Sequence, residues 1–283
     1  MRWKSGRRSS NIEDRRGRRV TRRAAGGGLG LIVLVIIALV FGVDPSFLLQ
    51  SGGGGTMISD SQTTAAPSAA EEEKADFVSA VLADLEDTWQ PLFQGMGRSY
   101  QEPNLVLFSG AVESACGFAQ AAVGPFYCLA DNKVYIDLSF FDDLHRRFGA
   151  PGDFAQAYVI AHEIGHHVQN LLGISSQVSS AQRRSSRTDA NALSVRLELQ
   201  ADCLAGVWGY HADRTRGLLE TGDLEEALGA AAAIGDDRIQ SQSRGYVSPE
   251  SFTHGSAAQR AAWFRRGFES GEPGRCDTFA EAA

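Results

Sequence analysis

The 283-residue chain is 43% hydrophobic and 22% charged, an ordinary balance for a folded protein that excludes a low-complexity or collagen-like polymer. Its net charge of −7 hides an asymmetry: ten of its 27 lysines and arginines, but two of its 34 acidic residues, precede Ala24. The acidic remainder would repel a phosphate backbone, so no nucleic-acid partner is expected despite the basic start.

Residues 1–23 form a basic arm. Residues 24–43 carry no charge and centre on the run from Leu29 to Phe41, the length a helix needs to cross a bilayer. A cleaved signal peptide would have a shorter apolar region followed by a small-residue cleavage site, so one uncleaved transmembrane helix is expected. Arginines on its N-terminal side predict a cytoplasmic N-terminus and an extracytoplasmic body, periplasmic or extracellular. Residues 44–70 are glycine-rich and polar, with little to bury, and read as a flexible linker.

The body is expected over residues 71–283. Val78, Val81, Leu82, Leu85, Trp89 and Leu92 recur at helical spacing and predict an amphipathic helix. Leu105 to Phe108, Phe126 to Leu129 and Val134 to Leu138 are short apolar runs between turn residues, a small β-sheet in which the last run alternates like a half-buried edge strand. A short helix over Phe140 to Phe148 ends at Gly149, and Pro151-Gly152-Asp153 opens the next helix, which Gly173 closes. Ser175 to Arg187 reads as a polar surface loop. A long helix follows from about residue 188 to His211, with further helices over Leu224 to Ile234 and Ser256 to Glu269. The fold class expected is α+β, mostly helical with a small sheet, preceded by one transmembrane helix.

Within the helix after Asp153, His162, Glu163 and His166 spell H-E-x-x-H. Residues four apart leave the same helix face, so both imidazoles can hold one Zn²⁺, and Glu163 flanks them as a general base for a metal-bound water. Glu198, in Arg196-Leu197-Glu198-Leu199-Gln200-Ala201-Asp202-Cys203, is the expected third ligand, leaving a fourth position for water. Asp202, one turn further, suits the free N–H of a bound histidine. Two histidines and a glutamate could also take Mn²⁺ or Co²⁺. His254 is the first candidate to stabilise an oxyanion, then His211 and Tyr210. His167 faces away from its neighbours and reads as packing or support, and His145 as a surface residue. Four cysteines allow three pairings; Cys116 with Cys128 and Cys203 with Cys276 is the one expected, in an oxidising compartment.

The opening Met1-Arg2-Trp3-Lys4, Ser9-Ser10-Asn11-Ile12-Glu13-Asp14-Arg15-Arg16-Gly17, the helix from His162 to Gly173, Glu198 to Cys203, and Ser251-Phe252-Thr253-His254-Gly255-Ser256 carry a resemblance over nearly the whole chain. The chain resembles the bacterial neutral zinc metallopeptidase family. That resemblance implies a membrane-anchored, zincin-like domain with His162 and His166 as metal ligands and Glu163 as the catalytic acidic residue. The expected function is hydrolysis of peptide bonds in a peptide or protein substrate, with one Zn²⁺ per chain. The alternative is a catalytically silent, zinc-stabilised binding or scaffold module of the cell envelope.

Overall fold

The computed structural model describes residues 1–17, 67–120 and 124–280. The span expected at 24–43 lies outside the described residues, as does the linker up to residue 66. Among the described residues no helix is long and apolar enough to cross a membrane.

Ser68 starts the first helix of the body. Its hydroxyl accepts the Glu71 N–H, and the Glu71 carboxylate accepts the Ser68 N–H, a reciprocal cap that opens α1 (Ala69–Gly95) two residues before the expected boundary. Phe77, Val78, Val81, Leu82, Leu85 and Trp89 form its buried face.

The strands, in chain order, are β1 (Ile12–Asp14), β2 (Asn104–Phe108), β3 (Ala111–Ser114), β4 (Gly117–Gln120), β5 (Phe126–Cys128) and β6 (Lys133–Asp137). Four form one sheet in the order β1-β2-β6-β5, parallel except where β5 runs against β6, and β3 and β4 form a separate hairpin. The edge position expected for Val134 to Leu138 is therefore corrected. β6 lies inside the sheet, and β5 is the edge strand beside it. The alternation in β6 separates two cores: Val134 and Ile136 face the helices, and Tyr135 faces a smaller cluster with Val106, Phe108 and Phe126.

The helices that follow are α2 (Phe140–Arg146), α3 (Asp153–Leu171), α4 (Ile174–Gln182), α5 (Arg187–Arg214), α6 (Asp223–Ala233), α7 (Asp236–Arg244) and α8 (Ala257–Ser270). The loop expected over Ser175 to Arg187 is corrected by α4. Its serines hid a helical pair, since Val178 and Ser175 are buried against the fold while the remaining positions stay partly or fully exposed. Glycine at 173, with φ of 81°, makes the turn between α3 and α4.

α3 is the central element, packed on α1, α5, α6 and β5. Its N-terminus is tied down: the Glu226 carboxylate accepts the Phe154 N–H at 3.0 Å, close to where a side chain at Gly152 would stand. The Met1 amine sits beside it, 2.8 Å from Asp153 and 3.4 Å from Asp223. Both expected disulfides, Cys116–Cys128 and Cys203–Cys276, are present.

The separate arm expected over residues 1–23 needs correction where it is described. Residues 1–17 pack on the body, and β1 completes the sheet by pairing with the backbone of β2: Leu105 N–H donates to the Asn11 carbonyl and Arg15 N–H to the Leu107 carbonyl, each at 2.8 Å. Glu13 receives Arg15 and Lys133, each at 2.8 Å, and the Arg15 and Lys133 hydrogen bonds hold its carboxyl down at about 2 from an ordinary 4.5. With the folded value the lower one, this contribution is present above pH 4.5 and lost as pH falls towards 2. We expect hydrogen exchange at β1 to quicken across that window, and Glu13→Gln to flatten the Glu13-linked part of the response.

Candidate metal centre

His162, Glu163 and His166 lie on α3, and the two imidazole centroids are 4.8 Å apart. Glu198 comes from α5, which crosses α3 closely because residue 165 is glycine. A Cβ there would stand 2.9 Å from the Ala201 carbonyl oxygen and 3.1 Å from its Cα. The crossing places Glu198 Oε2 3.1 Å from His162 Nε2 and Oε1 3.5 Å from His166 Nε2. The structure thus brings together the three expected ligands, with one donor atom of each within 4.8 Å of the others.

The outer hydrogen bonds fix which ring nitrogens face inwards. Asp202 Oδ1 is 2.8 Å from His162 Nδ1, so that nitrogen keeps a proton and Nε2 is the one left to bind a metal. Gln169 does the same for His166. Its amide nitrogen donates to the Leu197 carbonyl at 2.6 Å, which leaves its oxygen to accept from His166 Nδ1 at 2.9 Å. Both Nε2 atoms therefore face Glu198, and once they give up their protons the donor set fits a zinc ion with an open position.

Asp202 is fully buried, and α8 supplies its counter-charge. Arg260 Nε lies 2.8 Å from Oδ2 and Nη2 2.9 Å from Oδ1, a two-pronged pairing, and the Tyr158 hydroxyl also donates to Oδ1. α8 comes this near because glycines line its contact with α5; a Cβ at Gly267 or Gly206 would collide with backbone of the facing helix. Sequence reasoning missed Arg260. The available signal was a charge at position 260 on the stripe Ala257, Phe264 and Gly267, all of them buried.

Electrostatics separate the acids. Burial pushes Glu198 up, but His166 and His254 hold its carboxyl well below the usual range. Burial likewise opposes ionisation of Asp202, and Arg260 and His162 override it. Burial opposes charging of His162, yet Asp202 and Glu198 lift it to about 9. At Glu163 burial dominates over His166 and His162, and its carboxyl is raised.

The centre opens into a cleft of about 380 Å³. Phe126, Tyr127 and Leu129 line it, together with Ile234, Ile239, Thr253 and His254. His254 is held by Asp236, a residue also missed. The Asp236 Oδ2 accepts the backbone N–H groups of Thr253, His254 and Gly255 at 2.7–3.0 Å, and Oδ1 is 3.5 Å from His254 Nδ1. His211 and Tyr210 do not line this cleft; the first contacts the Gly271 carbonyl and the second packs against Gly271. His167 is bound to the Gln101 carbonyl and Tyr127, away from the metal ligands, and His145 is exposed.

Two histidines, a glutamate and an adjacent carboxylate in a cleft define a candidate metallohydrolase centre. The chain belongs to the family described as "Putative neutral zinc metallopeptidase", whose model matches residues 1–279. Its name implies zinc and proteolysis. The chain is 52% identical to the uncharacterized protein YpfJ of Escherichia coli K12, across the whole of both chains. It is 47% identical to the uncharacterized protein Rv2575 of Mycobacterium tuberculosis H37Rv, over 70% of this chain and 68% of that one. No solved structure matches it.

Gly165→Ala should cost about 1–3 kcal/mol through overpacking and weaken zinc retention against a chelator. Gly229→Ala, in a helix with open space around it, should be neutral or stabilise by up to about 1 kcal/mol. Thermal melts of the two variants compare them directly. Asp202→Asn should lower zinc affinity about 10- to 100-fold in a competition titration, with Arg260→Lys showing a smaller loss in the same direction.

Proposed function

We propose that this chain is a zinc-dependent peptidase of zincin-like fold, exported and associated with the membrane through residues 24–43, with one zinc held by His162, His166 and Glu198. The observation that carries this reading is the position of Glu163. It lies on the ligand helix, lines the same cleft as the three donors, and has its carboxyl raised by burial while Glu198 is depressed. A carboxylate of raised basicity beside a metal centre is suited to accept a proton.

Zinc bound there would supply Lewis acidity, lowering the pKa of a water and polarising a carbonyl. Glu163 then takes the proton of the attacking water and delivers it to the leaving nitrogen, so no acyl-enzyme is needed. Asp202 and Gln169 keep the imidazoles in the tautomer the metal requires. His254, steadied by Asp236 on the cleft wall, donates to the oxyanion of the tetrahedral intermediate. An extended peptide fits the cleft along β5, whose outer side is the sheet edge and whose Phe126 and Tyr127 line the cleft. The two disulfides support an oxidising, extracytoplasmic setting.

The test is zinc content and turnover of the full chain on a proteome-derived peptide library. Wild type should bind about one zinc and cleave, and chelation should stop cleavage until zinc is restored. Glu163→Gln should keep the zinc and lose about 100- to 10,000-fold in kcat. Equal turnover by the two proteins would remove Glu163 from the chemistry, and a zinc-free wild type would end the reading.

A further inference from the structure

The arginines before the apolar stretch read as a topology signal, but the structure gives them partners on the body. Arg7 reaches Glu86 at 2.8 Å and Asp87 at 2.9 Å, Arg8 pairs with Asp76, and Arg16 meets Glu72 at 3.0 Å and the Glu71 carbonyl at 3.1 Å. Lys4 pairs with Glu73 and Arg2 with Glu220. Most of these pairs are exposed and individually weak. Glu86 is different.

Glu86 is 2% exposed, and the hydrogen-bond partners of its carboxylate are Arg7, Ser9 at 2.6 Å and Asn11 at 2.8 Å. All three belong to the N-terminal segment. A buried carboxylate deprived of such partners is strongly destabilising, so the body is built to receive this segment. Backbone contacts agree: Ser9 N–H donates to the Ser79 carbonyl, Leu105 N–H to Asn11 and Arg15 N–H to Leu107, all at 2.8–3.0 Å. Trp3 packs edge-on against Phe77 with ring centroids 5.3 Å apart.

A membrane cannot lie between hydrogen-bonded neighbours. Adjacent strands stand about 4.8 Å apart, whereas the hydrocarbon core is about 30 Å thick. We propose that residues 1–17 and 67–280 fold as one unit and occupy the same side of the membrane, the basic residues serving as ion-pair partners of the body rather than as a cytoplasmic tail. The inference depends on the exported placement proposed above only for which side this is.

The test uses the full-length chain with single added cysteines, since the four native ones are paired. Ser5→Cys and, independently, Ser10→Cys report on the exposed N-terminal segment, and Tyr246→Cys, at a position 63% exposed, reports on the body. A membrane-impermeant maleimide is applied to spheroplasts before and after lysis. The expected result is labelling of all three variants before lysis, in a ratio near one. Protection of both N-terminal cysteines until lysis, with Tyr246→Cys labelled from the start, overturns the proposal, as does the reverse pattern. Protection of all three until lysis sustains the shared side and overturns the exported placement instead.

Discussion

The distance between α3 and α5 sets what the rest of the structure can do. The histidines are four residues apart on one helix, and that spacing alone gives a pair of donors. A third donor within reach requires a second backbone to come very near, and Gly165 against Ala201 permits it. Once Glu198 is placed, helical geometry puts Asp202 one turn further along α5, behind His162. The contact of α8 with α5 through Gly206 and Gly267 repeats the device on another side and brings Arg260 to Asp202.

The charges around the centre are nested. Glu198 faces two imidazoles, Asp202 lies between an imidazole and a guanidinium, and Arg260 closes the series from α8. Each buried carboxylate in the series has a cationic or protonated partner, which makes its burial tolerable. Glu163 stands apart from that series. It shares the helix of the histidines, yet desolvation rather than a partner dominates its ionisation. Two glutamates with opposite shifts in one cleft can therefore take opposite roles, one held as an anion and one free to exchange a proton.

Much of this was readable because it is local. The H-E-x-x-H spacing, the periodicity of α1 and α3 and the reach from Glu198 to Asp202 all depend on residues within a few turns of one another. Features that depend on distant partners were hidden. β1 is three residues long and gains its meaning from β2, some ninety positions away, so its residues read as part of a charged arm. β6 alternates as an edge strand would, but both of its faces are buried because a second small core lies behind Tyr135. α4 is rich in serine, and the burial of Val178 decides its state. Arg260 was visible only as a charge on an apolar stripe, and its role appears when Asp202, 58 residues earlier, is set beside it.

The Cys203–Cys276 disulfide lies one residue beyond Asp202 and joins positions 73 apart. Closing so long a loop is worth about 4 kcal/mol by chain-entropy reasoning. The cleft-lining residues Ile234, Ile239, Thr253, His254 and Arg260 are contained in that covalent ring, whereas His162, His166 and Glu198 all precede it. Synthesis runs from the N-terminus, and the ring cannot close until residue 276 has been made. The chain thus completes its three donors before it can fasten the later half of the cleft's lining.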